Sequence, residues 1–104
     1  MPKVYNKLVR DRIPEIIESS GKKVTVKKAD DIEYSQYLQY KLVEEVEEFL
    51  AIRNSEELVD ILEVVTALAS SYGIPFDELL KMANEKRQAR GGIEKRIVLL
   101  KVDD

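Results

Sequence analysis

The chain has no cysteine and no histidine among its 104 residues. The first absence excludes a disulfide scaffold, a thiolate metal site and a cysteine nucleophile. The second excludes imidazole zinc sites, the Glu-x-x-His pairs of di-iron bundles and any Ser-His triad. No apolar signal core opens the sequence, and no run is long enough to span a bilayer. The expected location is therefore cytoplasmic, with no membrane partner. A large excess of one charge is missing too. Seventeen basic and 20 acidic residues leave a net charge of −3, which gives no general pull towards nucleic acid. What remains is 36% charged and 44% hydrophobic, the balance of a folded protein. A chain of this length makes one small domain with a modest core. No repeat, low-complexity segment or linker divides it, so residues 1–104 read as a single domain.

Two acid-rich stretches stand out, Lys41-Leu-Val-Glu-Glu-Val-Glu-Glu-Phe-Leu50 and Ser55-Glu-Glu-Leu-Val-Asp-Ile-Leu-Glu63. At about 100° per residue, Tyr34, Leu38, Leu42, Val46, Phe49 and Leu50 form one apolar helix face. Glu45 projects from inside that face, Glu48 and Lys41 lie on its edge, and Glu47 points away to solvent. The second helix is apolar nearly all round, through Leu58, Val59, Ile61, Leu62, Val64, Val65, Ala67 and Leu68. Glu57 and Asp60 sit among these residues, one turn apart.

Glutamate favours helices, and acidic helix positions are usually solvated surface. Here, however, Lys41 and Arg53 are the only basic residues between Asp31 and Glu63, so the signs are not interleaved as in salt-bridged helices. A carboxylate facing a core costs several kcal/mol unless it is paired, neutralised or bound to a cation. Glu45, Glu48, Glu57 and Asp60 are therefore candidate ligands of a divalent metal. A site built from carboxylate oxygens alone suits Mg²⁺, with Mn²⁺ as the alternative. Glu44, beside the first pair, is the candidate to orient a water or accept its proton.

The expected fold class is mainly α: about four helices in a bundle, a small two-stranded β element, and oligomerisation to complete the bundle. Pro14 fits the first turn of a short helix ending near Ser19, stopped by Gly21. The alternation over Lys22 to Lys28 predicts a half-buried strand. Asp30 or Asp31 caps a long helix to about Ile52, and Asn54 or Ser55 caps the next. Gly73 ends that helix, and Ile74-Pro75 leads into a fourth over residues 76–90 with an inward stripe of Phe76, Leu79, Leu80 and Ala83. Ile97 to Val102 predicts a second strand, paired with the one around Val24 and Val26. Helix 55–72 needs burial on almost every side, which favours a homodimer or higher homo-oligomer over a monomer.

Phosphate recognition needs cations. Asn84, Lys86 and Arg90 lie on the fourth helix, and Lys86 and Arg90, four apart beside the apolar stripe, are expected to lean inward. Alone, they would read as surface cations favouring a helix C-terminus. Lys7, Arg10 and Arg12 make a second candidate clamp, for which an ordinary surface role fits slightly better.

Leu42-Val-Glu-Glu-Val-Glu-Glu48 with Glu56-Glu-Leu-Val-Asp60 resembles the paired acidic signature of the all-α nucleoside triphosphate pyrophosphohydrolases, the MazG-like and phosphoribosyl-ATP pyrophosphohydrolase-like group. Ala83-Asn84-Glu-Lys86 with Arg90 is similar to that group's phosphate-side motif. Tyr5-Asn-Lys-Leu-Val-Arg-Asp-Arg-Ile-Pro14 and Arg90-Gly-Gly-Ile-Glu-Lys-Arg-Ile97 resemble the ends of its small stand-alone members. The resemblance implies Mg²⁺-dependent cleavage between the α and β phosphates of a nucleotide. It implies Glu45, Glu48, Glu57 and Asp60 as metal ligands, Glu44 as a water-positioning acid, and Lys86 and Arg90 as phosphate contacts. It also implies a dimer or larger bundle with the base held between subunits. The segment between the acidic pairs is shorter than the group's usual pattern, which places Glu57 at its helix start and leaves Glu63 as an alternative ligand. Base stacking would fall to Tyr34, Tyr37, Tyr40 or Phe49. Two other expectations stand beside this one: a non-catalytic dimeric helical module binding a nucleotide or protein, and a histidine-synthesis enzyme acting on phosphoribosyl-ATP.

Overall fold

Side-chain caps and a two-residue turn set the central architecture. The Asp30 carboxylate accepts from the Glu33 amide at 2.8 Å, and the Glu33 carboxylate accepts in return from the Asp30 amide. This reciprocal box satisfies donors that a helix start otherwise leaves orphaned. The helix that follows ends at Arg53, a left-handed residue with φ 60° whose amide donates to the Phe49 carbonyl. Asn54 is extended, and its side chain accepts from the Glu57 amide at 3.2 Å, starting the next helix at once. A computed structural model describes residues 2–104, with four helices in order: α1 Ile13–Ser19, α2 Asp31–Ile52, α3 Ser55–Ser71 and α4 Phe76–Arg90. The mainly α class and the helix boundaries agree with the expectation. The caps resolve in favour of Asp30 and Asn54.

With only Arg53 and Asn54 between them, α2 and α3 form an antiparallel hairpin and pack along their length. Among the described residues, those buried are Leu38 on α2, Val64 and Ala69 on α3, and one charged side chain, Glu45. Gly73, at φ 77°, turns the chain after α3, and α4 leaves at 101° to it. The α4 stripe is consequently open: Leu79 is half-buried, while Phe76, Leu80 and Ala83 are exposed. The radius of gyration is 18.3 Å, well above the roughly 13 Å of a compact domain of this size. No single helix among the described residues is long and apolar enough to cross a membrane.

The expected β element is not formed. Residues 22–30 and 97–104 have no regular secondary structure, and no strand and no backbone ladder joins them among the described residues. Strand propensity measures how well a side chain fits a pleated, half-buried surface, and neither segment meets one in its own chain.

Candidate functional site

The hairpin brings both acidic pairs together, because antiparallel helices joined by a tight turn keep the last turns of one beside the first turns of the other. Glu45 is only 6% exposed. Its carboxylate lies with those of Glu44 and Glu48, each offering an oxygen within 4.8 Å of the others, and a second such group joins Glu45 to Glu57 and Asp60 across the seam. All four expected ligands, and Glu44, therefore converge, with Glu45 shared by both groups. Glu63 is exposed and belongs to neither.

Two oxygens in this cluster are dry and unpartnered, Oε2 of Glu45 and Oε2 of Glu57. A buried polar atom without a partner bears the full cost of its lost hydration. Oxygen donors from acids alone, held close and partly desolvated, fit a hard divalent cation.

Cations already flank the acids, two of them from the second candidate clamp. Lys7 Nζ donates to Glu44 at 2.6 Å, and Arg10 donates to Asp60 at 2.9 Å. The N-terminal segment thus straddles the seam, one cation on each helix. Lys41 lies 3.3 Å from both Glu44 and Glu45, the i+3 and i+4 geometry of a helix surface. Burial pushes the Glu45 carboxyl up, Lys41 only partly offsets this, and the charges of Glu48 and Asp60 add to the rise. Burial also acts on Glu44, but its Lys7 hydrogen bond and the Lys41 charge outweigh it and hold that carboxyl low. The Glu44 bond in turn raises Lys7. Neighbouring acids are thereby driven apart in acidity.

The other expected contacts lie elsewhere. Asn84, Lys86 and Arg90 are exposed on α4, where they line a shallow concavity with Ala83, Arg87 and Gly92, and no ion pair links them to the acids among the described residues. The expected inward lean of Lys86 and Arg90 is thus not realised within one chain, because α4 diverges from the hairpin. Arg12, the residue just before α1, pairs with Glu15 of that helix. A second concavity, between the start of α2 and the end of α3, is walled by Tyr34 and Tyr72. Tyr72 escaped the sequence reading; its position just before Gly73, at a helix end, was the available signal. Tyr40 is exposed, while Tyr37 and Phe49 are half-buried.

The chain matches no known family profile and no solved structure. An uncharacterized protein of Mycolicibacterium smegmatis is 50% identical to it over 44 residues, which is 42% of this chain and 45% of that protein. The chain thus spans less than half the length of the curated relative it matches.

Proposed function

We propose that the protein is a Mg²⁺-dependent nucleotide pyrophosphohydrolase, converting a normal or damaged nucleoside triphosphate to its monophosphate and pyrophosphate. The observation that carries this reading is the pair of dry, unpartnered oxygens on Glu45 and Glu57, set in one carboxylate cluster with Asp60. The acidic and basic motifs that resemble the all-α pyrophosphohydrolases support it. Glu45, Glu48, Glu57 and Asp60 would hold the ion, with Mn²⁺ as a substitute. Bound there, Mg²⁺ supplies positive charge against the triphosphate chain.

The remaining work falls to this chain's side chains. Glu44, kept ionised by Lys7 and Lys41, orients a water and takes its proton as the water oxygen attacks the α-phosphorus. The bond between α-phosphorus and the bridging oxygen breaks, and pyrophosphate leaves. Lys7 and Arg10 already stand beside the cluster and are the nearest phosphate contacts in one chain. Asn84, Lys86 and Arg90 would serve if a second copy brings α4 over the hairpin. Self-association is part of the proposal: Leu58, Val59 and Leu62 of α3 are each at least half exposed in the single chain. A cytoplasmic location is consistent with nucleotide chemistry.

The ion pairs of Lys7 and Arg10 favour a second reading, because they neutralise two of the acids internally. Under it, the protein is a dimeric module that binds nucleotide without turnover. A screen of nucleoside triphosphates and phosphoribosyl-ATP, with Mg²⁺ or Mn²⁺, separates the two readings. Pyrophosphate from at least one substrate is the expected result. Tight triphosphate binding with no pyrophosphate under either ion would leave only the module.

A further inference from the structure

Residues 97–104, Ile-Val-Leu-Leu-Lys-Val-Asp-Asp, lie outside any helix and, laid out as a strand, would carry apolar side chains on both faces, a pattern belonging to a strand covered on each side. Yet Ile97, Val98, Leu99, Leu100 and Val102 are each at least 75% exposed. Residues 22–28, Lys-Lys-Val-Thr-Val-Lys-Lys, likewise lie outside any helix, make no backbone ladder among the described residues, and leave Val26 exposed. One segment ends in two acids and the other is flanked by four lysines. The two are complementary in charge and in pattern.

No backbone hydrogen bond joins them within one chain among the described residues. Residue 28 leads into α2 at the end of the hairpin where α3 finishes. From that end, α4 carries the root of the tail away over 15 residues, a length of about 22 Å at 1.5 Å per residue. We propose that residues 97–104 of one copy add as an antiparallel strand to residues 22–28 of a second copy, in reciprocal exchange.

The register follows from matching faces. With Leu100 opposite Val26, Val102 falls opposite Val24 and Asp104 opposite Lys22, all on one face. On the other face Asp103, paired with Lys101 of its own chain at 3.1 Å, meets Lys23, and Lys101 meets Thr25. Directly opposed side chains are the units that stabilise such ribbons. The antiparallel direction is favoured because Lys27 already pairs with Glu33, whereas Lys22 and Lys23 hold no ion pair among the described residues. Antiparallel pairing is also the slightly more stable kind per residue. The tail's second apolar face then lies against the partner's exposed helix surface. The proposal shares with the functional reading only the presence of a second copy, and needs neither metal nor nucleotide.

The absence of cysteine makes engineered cross-links unambiguous. Val24→Cys/Val102→Cys protein, oxidised while folded and free of metal, is expected to run as a covalent dimer on a non-reducing gel. Single variants Val24→Cys and Val102→Cys, refolded together, should give the mixed dimer. Val24→Cys/Lys101→Cys, with the second thiol on the wrong face, should cross-link far less. Closure of the first pair within one chain, or no closure, overturns the exchange. A protein dimeric by mass but without the cross-link loses the strand exchange while the helical contact stands. Should the cysteines impair folding, charge reversal decides. Asp103→Lys/Asp104→Lys is expected to shift the protein towards monomer, and adding Lys22→Asp/Lys23→Asp should restore the dimer. Reversal without effect on mass overturns the proposal.

Discussion

Glu45→Gln and Asp60→Asn are each expected to lower Mg²⁺-dependent pyrophosphate release by at least about 10²-fold, the scale on which losing one electrostatic stabiliser acts. Glu45 belongs to both carboxylate groups and Asp60 lies across the seam, so each change removes an oxygen from the cluster. The double variant should be little worse than either single one, because residues acting as a unit are not additive. Glu47→Gln is the control: this side chain is exposed and belongs to neither acidic group, so turnover should be unchanged. Circular dichroism must show both site variants folded. Full turnover in both, or release of orthophosphate as the first product, would refute the assignment.

The second large effect concerns heat. A ligand at about 100 times its Kd stabilises a native state by about 2.7 kcal/mol. For a domain of this size each kcal/mol moves Tm by about 4–8 °C, so Mg²⁺ should raise it by roughly 10–20 °C. In Glu45→Gln that rise should largely vanish. The metal-free variant should nevertheless melt above the metal-free parent by about 1 kcal/mol in stability, since an amide bears less desolvation than a buried carboxylate. The pH dependence has a definite sign. Glu45 is pushed above its ordinary 4.5, so its contribution is present below that value and is lost as pH rises through the raised one. In EDTA, the gap between variant and parent should therefore widen with pH across that window. Glu44 works oppositely: held low, it contributes above 4.5 and fails only as pH falls through its depressed value. Differential scanning across pH, with and without Mg²⁺, checks both. No Mg²⁺ shift in the parent protein would remove the metal site.

The helices were legible because their limits are local chemistry. Asp30 and Asn54 are caps and Gly73 is a stop, and these act over three or four residues. The convergence of Glu45, Glu48, Glu57 and Asp60 was legible for the same reason, as i, i+3 spacing on two helices joined by a tight turn. The partners of those acids were harder to read. Lys7 meets Glu44 across 37 residues and Arg10 meets Asp60 across 50, and no periodicity encodes where a non-helical arm will lie. The lean of Lys86 and Arg90 was misjudged because it depends on the crossing angle of α4, set by the turn at Gly73 and not by the stripe on α4. Residues 22–28 and 97–102 were expected to be paired strands and form none in the single chain, since pairing depends on which surface each segment can reach.

The small buried core has a calorimetric consequence. Leu38, Val64 and Ala69 are its buried hydrophobic residues, while Leu50, Leu58, Leu62 and the tail stay open to water in the single chain. Melting such a chain exposes little new apolar area. For a lone chain the heat-capacity increment would therefore fall well below the roughly 12–15 cal/mol/K per residue of ordinary globular domains. An increment of full size, with a midpoint that climbs as the protein is concentrated, would be the signature of grease hidden between copies.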